Sequence, residues 1–181
     1  MDRSDRQNNG PVYHCPIFDV YEEDVTLPNG RNFKQVRIDH RPTIAVMPID
    51  AEGRLILIRQ YRGAVKQQLL EIPAGSMDPG ESAEDCVQRE LSEEAAFRAG
   101  RVEKLFEGYL VPGYCNEYMY FYMAADLSEQ YLPGDEDEII VEKVHVSLDD
   151  AVQMIQNREI IDAKTALGVL LVKNHQLMRG V

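Results

Sequence analysis

The chain is short of positive charge. Of its 181 residues, 19 are Lys or Arg against 31 Asp or Glu, a formal net charge of −12. A surface this acidic disfavours non-specific binding to nucleic acid or to an anionic membrane, because Lys and Arg must neutralise the phosphates. An anionic small molecule would instead need a metal bridge and a few placed arginines. Cysteine is scarce too. Cys15, Cys86 and Cys115 are odd in number and show no Cys-x-x-Cys spacing, which argues against a disulfide framework and a zinc site and points to the cytoplasm. His14, His40, His145 and His175 fall in no motif, which leaves a Cys115 nucleophile without a recognisable base. No apolar run approaches the roughly 18 residues of a membrane span, and the first ten residues lack the apolar core of a signal peptide. Neither an internal repeat nor a low-complexity tract is visible.

What is present suffices for a core. With 44% hydrophobic residues, the length fits one domain carrying a small appendage. Residues 1–10 read as a disordered tail. Over 11–41, Phe18-Asp-Val-Tyr-Glu-Glu-Asp-Val-Thr-Leu and Asn32-Phe-Lys-Gln-Val-Arg-Ile-Asp alternate around the turn Pro28-Asn29-Gly30, which predicts an antiparallel β-hairpin. Alone it would be marginal, so it should pack on the main domain or on a second copy of the chain. Residues 42–181 form the main domain. Strands are expected over 43–49, 55–62, 68–73, 102–111, 118–125 and 139–146. Ser147 and Asp162 start two closing helices, the second with Ala166, Leu167, Leu170, Leu171 and Leu177 as its buried stripe. A mixed sheet between helices is the natural arrangement.

The stretch from Gly75 to Phe97 carries the chemistry. Its loop holds Gly75, Pro79 and Gly80, residues suited to turns and positive φ, and Ser82 caps the following helix with Asp85 at the capping-box position. On that helix Glu90, Glu93 and Glu94 stand at i,i+3 and i,i+4 spacings, so all three project to one side and repel. A lone Glu-x-x-Glu-Glu usually faces water. Three acids on one face otherwise call for a hard cation such as Mg²⁺ or Mn²⁺.

The complete pattern, Gly75-x5-Glu81-x7-Arg89-Glu90-Leu91-x-Glu93-Glu94-x-Ala96-Phe97, resembles the signature of the Nudix hydrolases, with Ala96 standing where the family has glycine. That glycine ends the helix in a left-handed turn, so Ala96 implies strain of about 1 kcal/mol or a shifted helix end. The resemblance covers about residues 42–172. It implies a Nudix-type α/β/α sandwich with a mixed β-sheet, here preceded by the small N-terminal hairpin, and metal-dependent cleavage of a diphosphate. Carried over position by position, Glu90 and Glu94 look like the principal metal ligands, Glu93 like an additional or bridging one, and the Ala74 carbonyl like a further donor. Gly75, Glu81 and Arg89 are read as structural, the last two as an ion pair fixing loop to helix.

Further features resemble the ADP-ribose pyrophosphatases within that family. Pro112 stands fifteen residues past Phe97, and Val111-Pro112-Gly113-Tyr-Cys-Asn-Glu117 is similar to their Ser-Pro-Gly-x-x-x-Glu loop, apart from Val111. Arg59-Gln-Tyr-Arg62 and Glu71-Ile-Pro-Ala-Gly75 also look like theirs. The resemblance implies a nucleotide-sugar substrate, cleaved to AMP or another nucleoside monophosphate and a sugar phosphate. It also implies Mg²⁺ (or Mn²⁺) as cofactor and a homodimer in which the hairpin contacts or swaps onto the partner. Arg62, Arg37, Pro112, Gly113 and Glu117 are the substrate-binding candidates, and Tyr13, Phe18 or Tyr21 candidates to stack on a base. In the acidic run Asp135-Glu-Asp-Glu, Glu136 is read as general base and Glu138 as ligand, joining Glu93 in the catalytic set. GDP-mannose hydrolases share much of this pattern, and a catalytically silent Nudix-fold binding module is the reading from another class.

Overall fold

The computed structural model describes residues 10–134 and 140–179. Two compact units divide the chain: one takes in the chain up to Pro42 together with Tyr109–Tyr118, and the other comprises Thr43–Gly108 and Met119–Val181. Most of the expected tail therefore lies outside the described residues.

The first unit is built on a three-stranded antiparallel sheet of β1 (Tyr13–His14), β2 (Phe18–Thr26) and β3 (Asn32–His40). Strands β2 and β3 pair without a slip from Phe18↔His40 to Thr26↔Asn32. Gly30 closes their turn at φ +80, with its N–H donating to the Leu27 carbonyl at 2.8 Å. That conformation is costly for any residue with a Cβ. The segment around Cys115 attaches to the far end of β3: Ile38 N–H donates to the Tyr114 carbonyl (2.8 Å), Asn116 N–H to the Ile38 carbonyl (3.2 Å) and His40 N–H to Asn116 Oδ1 (2.8 Å).

In the second unit the chain runs through β4 (Thr43–Pro48), β5 (Leu55–Arg62), β6 (Gln67–Glu71), β7 (Ala74–Ser76) and α1 (Ala83–Glu94). It then continues into β8 (Phe97–Tyr109), β9 (Tyr118–Glu129), β10 (Ile140–Val146), α2 (Leu148–Gln156) and α3 (Ala163–Arg179). The mixed sheet has the order β7-β4-β9-β8, with β4 antiparallel to β7 and parallel to β9. A second sheet, β10-β5-β6, is antiparallel throughout.

Strand β4 is buried along its whole length, the mark of a strand covered on both faces. Ile44 and Val46 pack with Cys86, Val87, Leu91 and Ala95 of the α1 side. Met47, on the opposite face by strand alternation, lies against Gly168 of α3. Helices α1 and α3 thus sandwich the sheet. The transfer of a fully buried side chain such as Leu91 stabilises this arrangement by about 2 kcal/mol.

Two local expectations change, and the Ser82 cap is as expected. The stripe of α3 that faces inward is Thr165, Gly168, Val169 and Val172, while Leu170 and Leu177 are 51% and 68% exposed. Shape decided this: a Cβ on Gly168 would stand 2.8 Å from Ile72 Cδ1 and 2.9 Å from Met47 Sδ, so the side without a side chain is the one that can press closest to the sheet. Strand β8 starts at Phe97, not at 102, because the turn at Ala96 delivers the chain directly into it. At the start of α1, Ser82 Oγ accepts from Asp85 N–H (3.1 Å) and its hydroxyl donates to Asp85 Oδ2 (2.7 Å), so the acid answers the cap's hydroxyl.

Candidate active site

The apolar side of α1 is spent on the core, which turns its acids to the opposite side. Even so, Glu90 and Glu94 are buried, at 6% and 4% exposure, which a solvated acidic face would not show. Burying carboxylates requires compensation, and Arg89 supplies much of it. Its Nε and Nη2 hold both oxygens of Glu81 at 2.9 and 3.0 Å, while Nη2 also donates to the Ser76 carbonyl at 3.0 Å. Its Nη1 reaches Glu90 Oε1 at 2.7 Å and Glu93 Oε2 at 3.1 Å. A planar guanidinium is suited to such forked contacts. The Arg89 hydrogen bonds, helped by Asp78 N–H, bring the Glu81 carboxyl down to about 2 despite its partial burial. The same carboxylates push the Arg89 guanidinium above its ordinary range.

Gly75 matters here for space. It lies in β7 and is not among the glycines at positive φ, so its expected role as a turn former gives way to another one. A Cβ at this position would stand 1.9 Å from Glu90 Oε1; only glycine lets the Glu90 carboxylate lie against the strand. The neighbouring Ala74 N–H donates to Glu94 Oε2 at 2.8 Å. Strand β7 therefore grips two of the three helix acids. At the other end of α1, Ala95 is the C-cap and Ala96 follows at φ +59. The helix end has not shifted, and alanine adopts the left-handed turn that suits glycine.

The donors gathered here suit a hard divalent cation: all are carboxylate oxygens, two of them held by backbone contacts on β7. Among the described residues no three His, Cys, Asp or Glu side chains converge into a ready-made metal cluster. Arg89 Nη1 lies between Glu90 and Glu93, within hydrogen-bond reach of both.

Beside the acids opens a cavity of about 470 Å³, whose lining includes Glu93, Glu94, Ala96, Tyr131, Glu142 and Lys143. Lys143 was not singled out from sequence. Its Nζ donates to the Ala95 carbonyl at 3.0 Å, at the C-terminus of α1, and sits 5.0 Å from the centre of the Phe97 ring. A cation at a helix C-terminus is favourable, and a lone Lys in a strand carries no signal of it.

Arg62 is drawn into another cluster. Its Nε and Nη2 hold Glu71 Oε1 and Oε2, each at 2.8 Å, and Lys164 Nζ binds the same Glu71 and also Asp162 Oδ2 at 3.0 Å. The Glu71 side chain is 1% exposed. Burial alone would raise its carboxyl, but the Arg62 hydrogen bond and the Lys164 charge outweigh burial and hold it below its ordinary value. Neither Glu71 nor Lys164 was expected as a partner. A single acid ending an apolar strand was the available signal.

In the first unit, Arg37 Nε reaches Glu23 at 3.0 Å and its Nη1 reaches Asp39 at 2.9 Å, with the guanidinium 4.7 Å from the centre of the Tyr21 ring. It lines a depression of about 170 Å³ with Gln35, Tyr109, Pro112, Tyr114 and Asn116. Gly113 lies in the same loop with open space where a Cβ would stand, and Glu117 N–H donates to Cys115 Sγ at 3.4 Å. Tyr13 is exposed and tilts against Phe18. All three cysteines are free; burial pushes the Cys86 thiol far up, with the Glu90 charge adding to it. Glu136 and Glu138 lie outside the described residues. No described helix is long and apolar enough to cross a membrane.

Comparison with known proteins agrees with this arrangement. The family described as the NUDIX domain matches residues 39–166. The ADP-ribose pyrophosphatase of Bacillus subtilis (strain 168) is 36% identical over 160 residues, covering 87% of this chain and 86% of the relative. A GDP-mannose pyrophosphatase of Yersinia enterocolitica is 32% identical over 171 residues, covering 88% of each. The crystal structure of an ADP compounds hydrolase superposes with a TM-score of 0.84 at 28% identity, covering 94% of this chain and 92% of that one. Carrying the motif on a helix clamped to the sheet, and matched to the family over most of its length, the chain belongs to the NUDIX family and is a Nudix hydrolase.

Proposed function

We propose that this hydrolase cleaves the diphosphate of ADP-ribose, or of a closely related nucleoside diphosphate sugar, to a nucleoside monophosphate and a sugar phosphate. The observation that carries the reading is the burial of Glu90 and Glu94 against β7 beside an open cavity, in a chain 36% identical to an ADP-ribose pyrophosphatase. Likeness to a GDP-mannose pyrophosphatase makes GDP-mannose the second substrate to test.

Nudix hydrolases in general need divalent metal ions; here Mg²⁺, with Mn²⁺ as substitute, is the proposed cofactor. Bound ions of this kind neutralise charge on the diphosphate oxygens and make water a better nucleophile. Glu90 and Glu94 would hold them, with Glu93 as a further ligand and the Ala74 carbonyl contributing. Arg89 and Glu81 keep loop and helix in place, and Arg89 Nη1 bridges Glu90 and Glu93. Glu136 is proposed as general base and Glu138 as a ligand, on the resemblance alone. Arg62, Arg37, Pro112, Gly113 and Glu117 are proposed for substrate. For Arg62, two donors engaged by Glu71 favour a supporting role. Exposed Val12, Tyr13, Ile17, Phe33 and Val36 in the N-terminal unit support a homodimer, and the free cysteines a cytoplasmic location. The division into a hairpin at 11–41 and a catalytic domain at 42–181 is kept as a proposal.

The test is a panel of ADP-ribose, GDP-mannose, diadenosine polyphosphates and NADH, with products identified with and without Mg²⁺. AMP and a sugar phosphate from ADP-ribose, only with metal, is the expected result. Tight binding of ADP-ribose with no turnover under any metal would instead make the chain a silent binding module. Sedimentation of a chain beginning at Arg41 tests the dimer: unchanged association would remove the hairpin from the interface.

A further inference from the structure

Helix α3 is far from the motif in sequence, yet its first turn holds Ile72, in the short link that leads into the strand gripping the motif's acids. Asp162 Oδ2 accepts from Thr165 N–H at 2.9 Å and from the Thr165 hydroxyl at 2.6 Å. With its proton so committed, Thr165 Oγ1 presents a lone pair to Ile72 N–H, which donates to it at 2.9 Å. Thr165 is fully buried. A backbone amide there has no water to turn to, so the hydroxyl is its fixed partner.

A second contact acts on the same residue from the same helix. The Ile72 side chain reaches to where a Cβ on Gly168 would stand, at 2.8 Å. Ile72 is thus held by its N–H and by its side chain, while the next residue, Pro73, gives its carbonyl to Val46 N–H at 2.9 Å. Two residues beyond Ile72, Ala74 N–H donates to Glu94 Oε2, and Gly75 abuts Glu90. With Pro73 between them, little freedom remains to absorb a shift of Ile72 before it reaches Ala74.

We propose that Thr165 is a positioning residue of the cation site, its hydroxyl passing the orientation of the capped first turn of α3 through Ile72 to the Ala74 amide and so to Glu94. The proposal rests on the reading of Glu94 as a metal ligand. Thr165 acts one step behind the outer partner that touches the ligand, the Ala74 N–H; loss of such a partner costs about 10- to 100-fold in metal affinity, so the indirect loss is expected at the lower end.

Three variants test this by direct binding of Mn²⁺ to the substrate-free full chain, followed by titration calorimetry, with amide exchange at Ile72 and Ala74 measured on the metal-free protein. Thr165→Val keeps the volume and removes the acceptor; it should weaken Mn²⁺ binding about tenfold and speed exchange at both amides, while turnover approaches the parent's at saturating metal. Thr165→Ser restores the acceptor and should bind Mn²⁺ within about twofold of the parent. Glu94→Gln should weaken binding at least as much as Thr165→Val. Parental Mn²⁺ affinity in Thr165→Val overturns the proposal when Glu94→Gln is weakened. Parental affinity in Glu94→Gln overturns the ligand reading beneath it instead. Equal losses in the Ser and Val variants would show that packing, not the hydroxyl, is at work. Should the Val variant not fold, Thr165→Cys, with a weaker acceptor of similar size, takes its place: it should weaken Mn²⁺ binding more than Thr165→Ser does, and parental affinity in it, or a loss equal to that of the Ser variant, overturns the proposal when Glu94→Gln is weakened.

Discussion

Two groups of buried acids in the larger unit are built on opposite principles. Around Glu71 the charges balance: Arg62 and Lys164 face Glu71 and Asp162. Along α1, among the described residues, acids outnumber the guanidinium that bridges them: Arg89 is shared among Glu81, Glu90 and Glu93, with Glu94 buried close by on the same helix. A balanced buried cluster is closed, because each desolvated charge has its answer within the protein and adding an ion would cost energy. An acid excess held by backbone contacts and one guanidinium is open to a divalent ion. The comparison teaches that burial of a carboxylate is not itself the mark of a site; excess of one sign, kept in place by the surrounding strand, is.

The comparison is most exposed to substitution on the open side. Glu94→Gln should lower turnover of ADP-ribose by more than about 100-fold with a melting temperature at or above the parent's, since it removes a repelling charge; parental turnover with Mg²⁺ would sink the ligand assignment.

A smaller effect is expected from acid. The Glu81 carboxyl lies at about 2 in the folded chain against its ordinary 4.5. A depressed carboxyl contributes stability above 4.5 that is lost as pH falls toward 2, about 3 kcal/mol as an upper figure. Denaturant unfolding followed from pH 6 to pH 3 should show the parent losing more stability than Glu81→Gln. Parallel curves for the two would mean that the Glu81 carboxyl is not depressed in the folded chain.

On the closed side, Glu71→Gln leaves Lys164 and Arg62 short of their shared partner. Breaking a buried pair costs about 3–5 kcal/mol; with Arg62 37% exposed, solvent screening brings the expected loss to about 2 kcal/mol. Urea unfolding reads it directly, and an unchanged midpoint would show the cluster to be ornamental.

The smallest change concerns the turn after α1. Ala96→Gly relieves a left-handed alanine and should stabilise by about 1 kcal/mol, a rise of about 2–4 °C in melting temperature. A fall would show that the Ala96 side chain has a packing role that outweighs its backbone strain.

Much of the motif was legible because its information is local. Glu90, Glu93 and Glu94 fall on one side of a helix by its period alone, and Ser82 announces its start. Ala96 was legible as a question: the resemblance to the Nudix signature implied a left-handed turn at this position, and alanine adopts it. Gly75 was legible as a necessary glycine but for another reason, since close approach of Glu90 from a helix fifteen residues on leaves no trace in a loop's composition. The inward side of α3 was misjudged because hydrophobicity favours leucine, whereas close packing on Met47 and Ile72 favoured the bare side of Gly168.

By itself, then, the sequence determined the hairpin around Gly30, the order of the longer strands and of the helices, the helix carrying the acids and the identity of the charges along it. These depend on periodicity, turn chemistry and spacing within a few residues. Only the tertiary structure decided which distant groups each buried acid meets. Arg62 meets Glu71 across paired strands, Lys164 reaches Glu71 from ninety-three residues away, and Thr165 takes the Ile72 N–H two residues before Ala74. Such pairings depend on which distant segments the packed sheet brings within hydrogen-bond reach, and no local pattern encodes that distance.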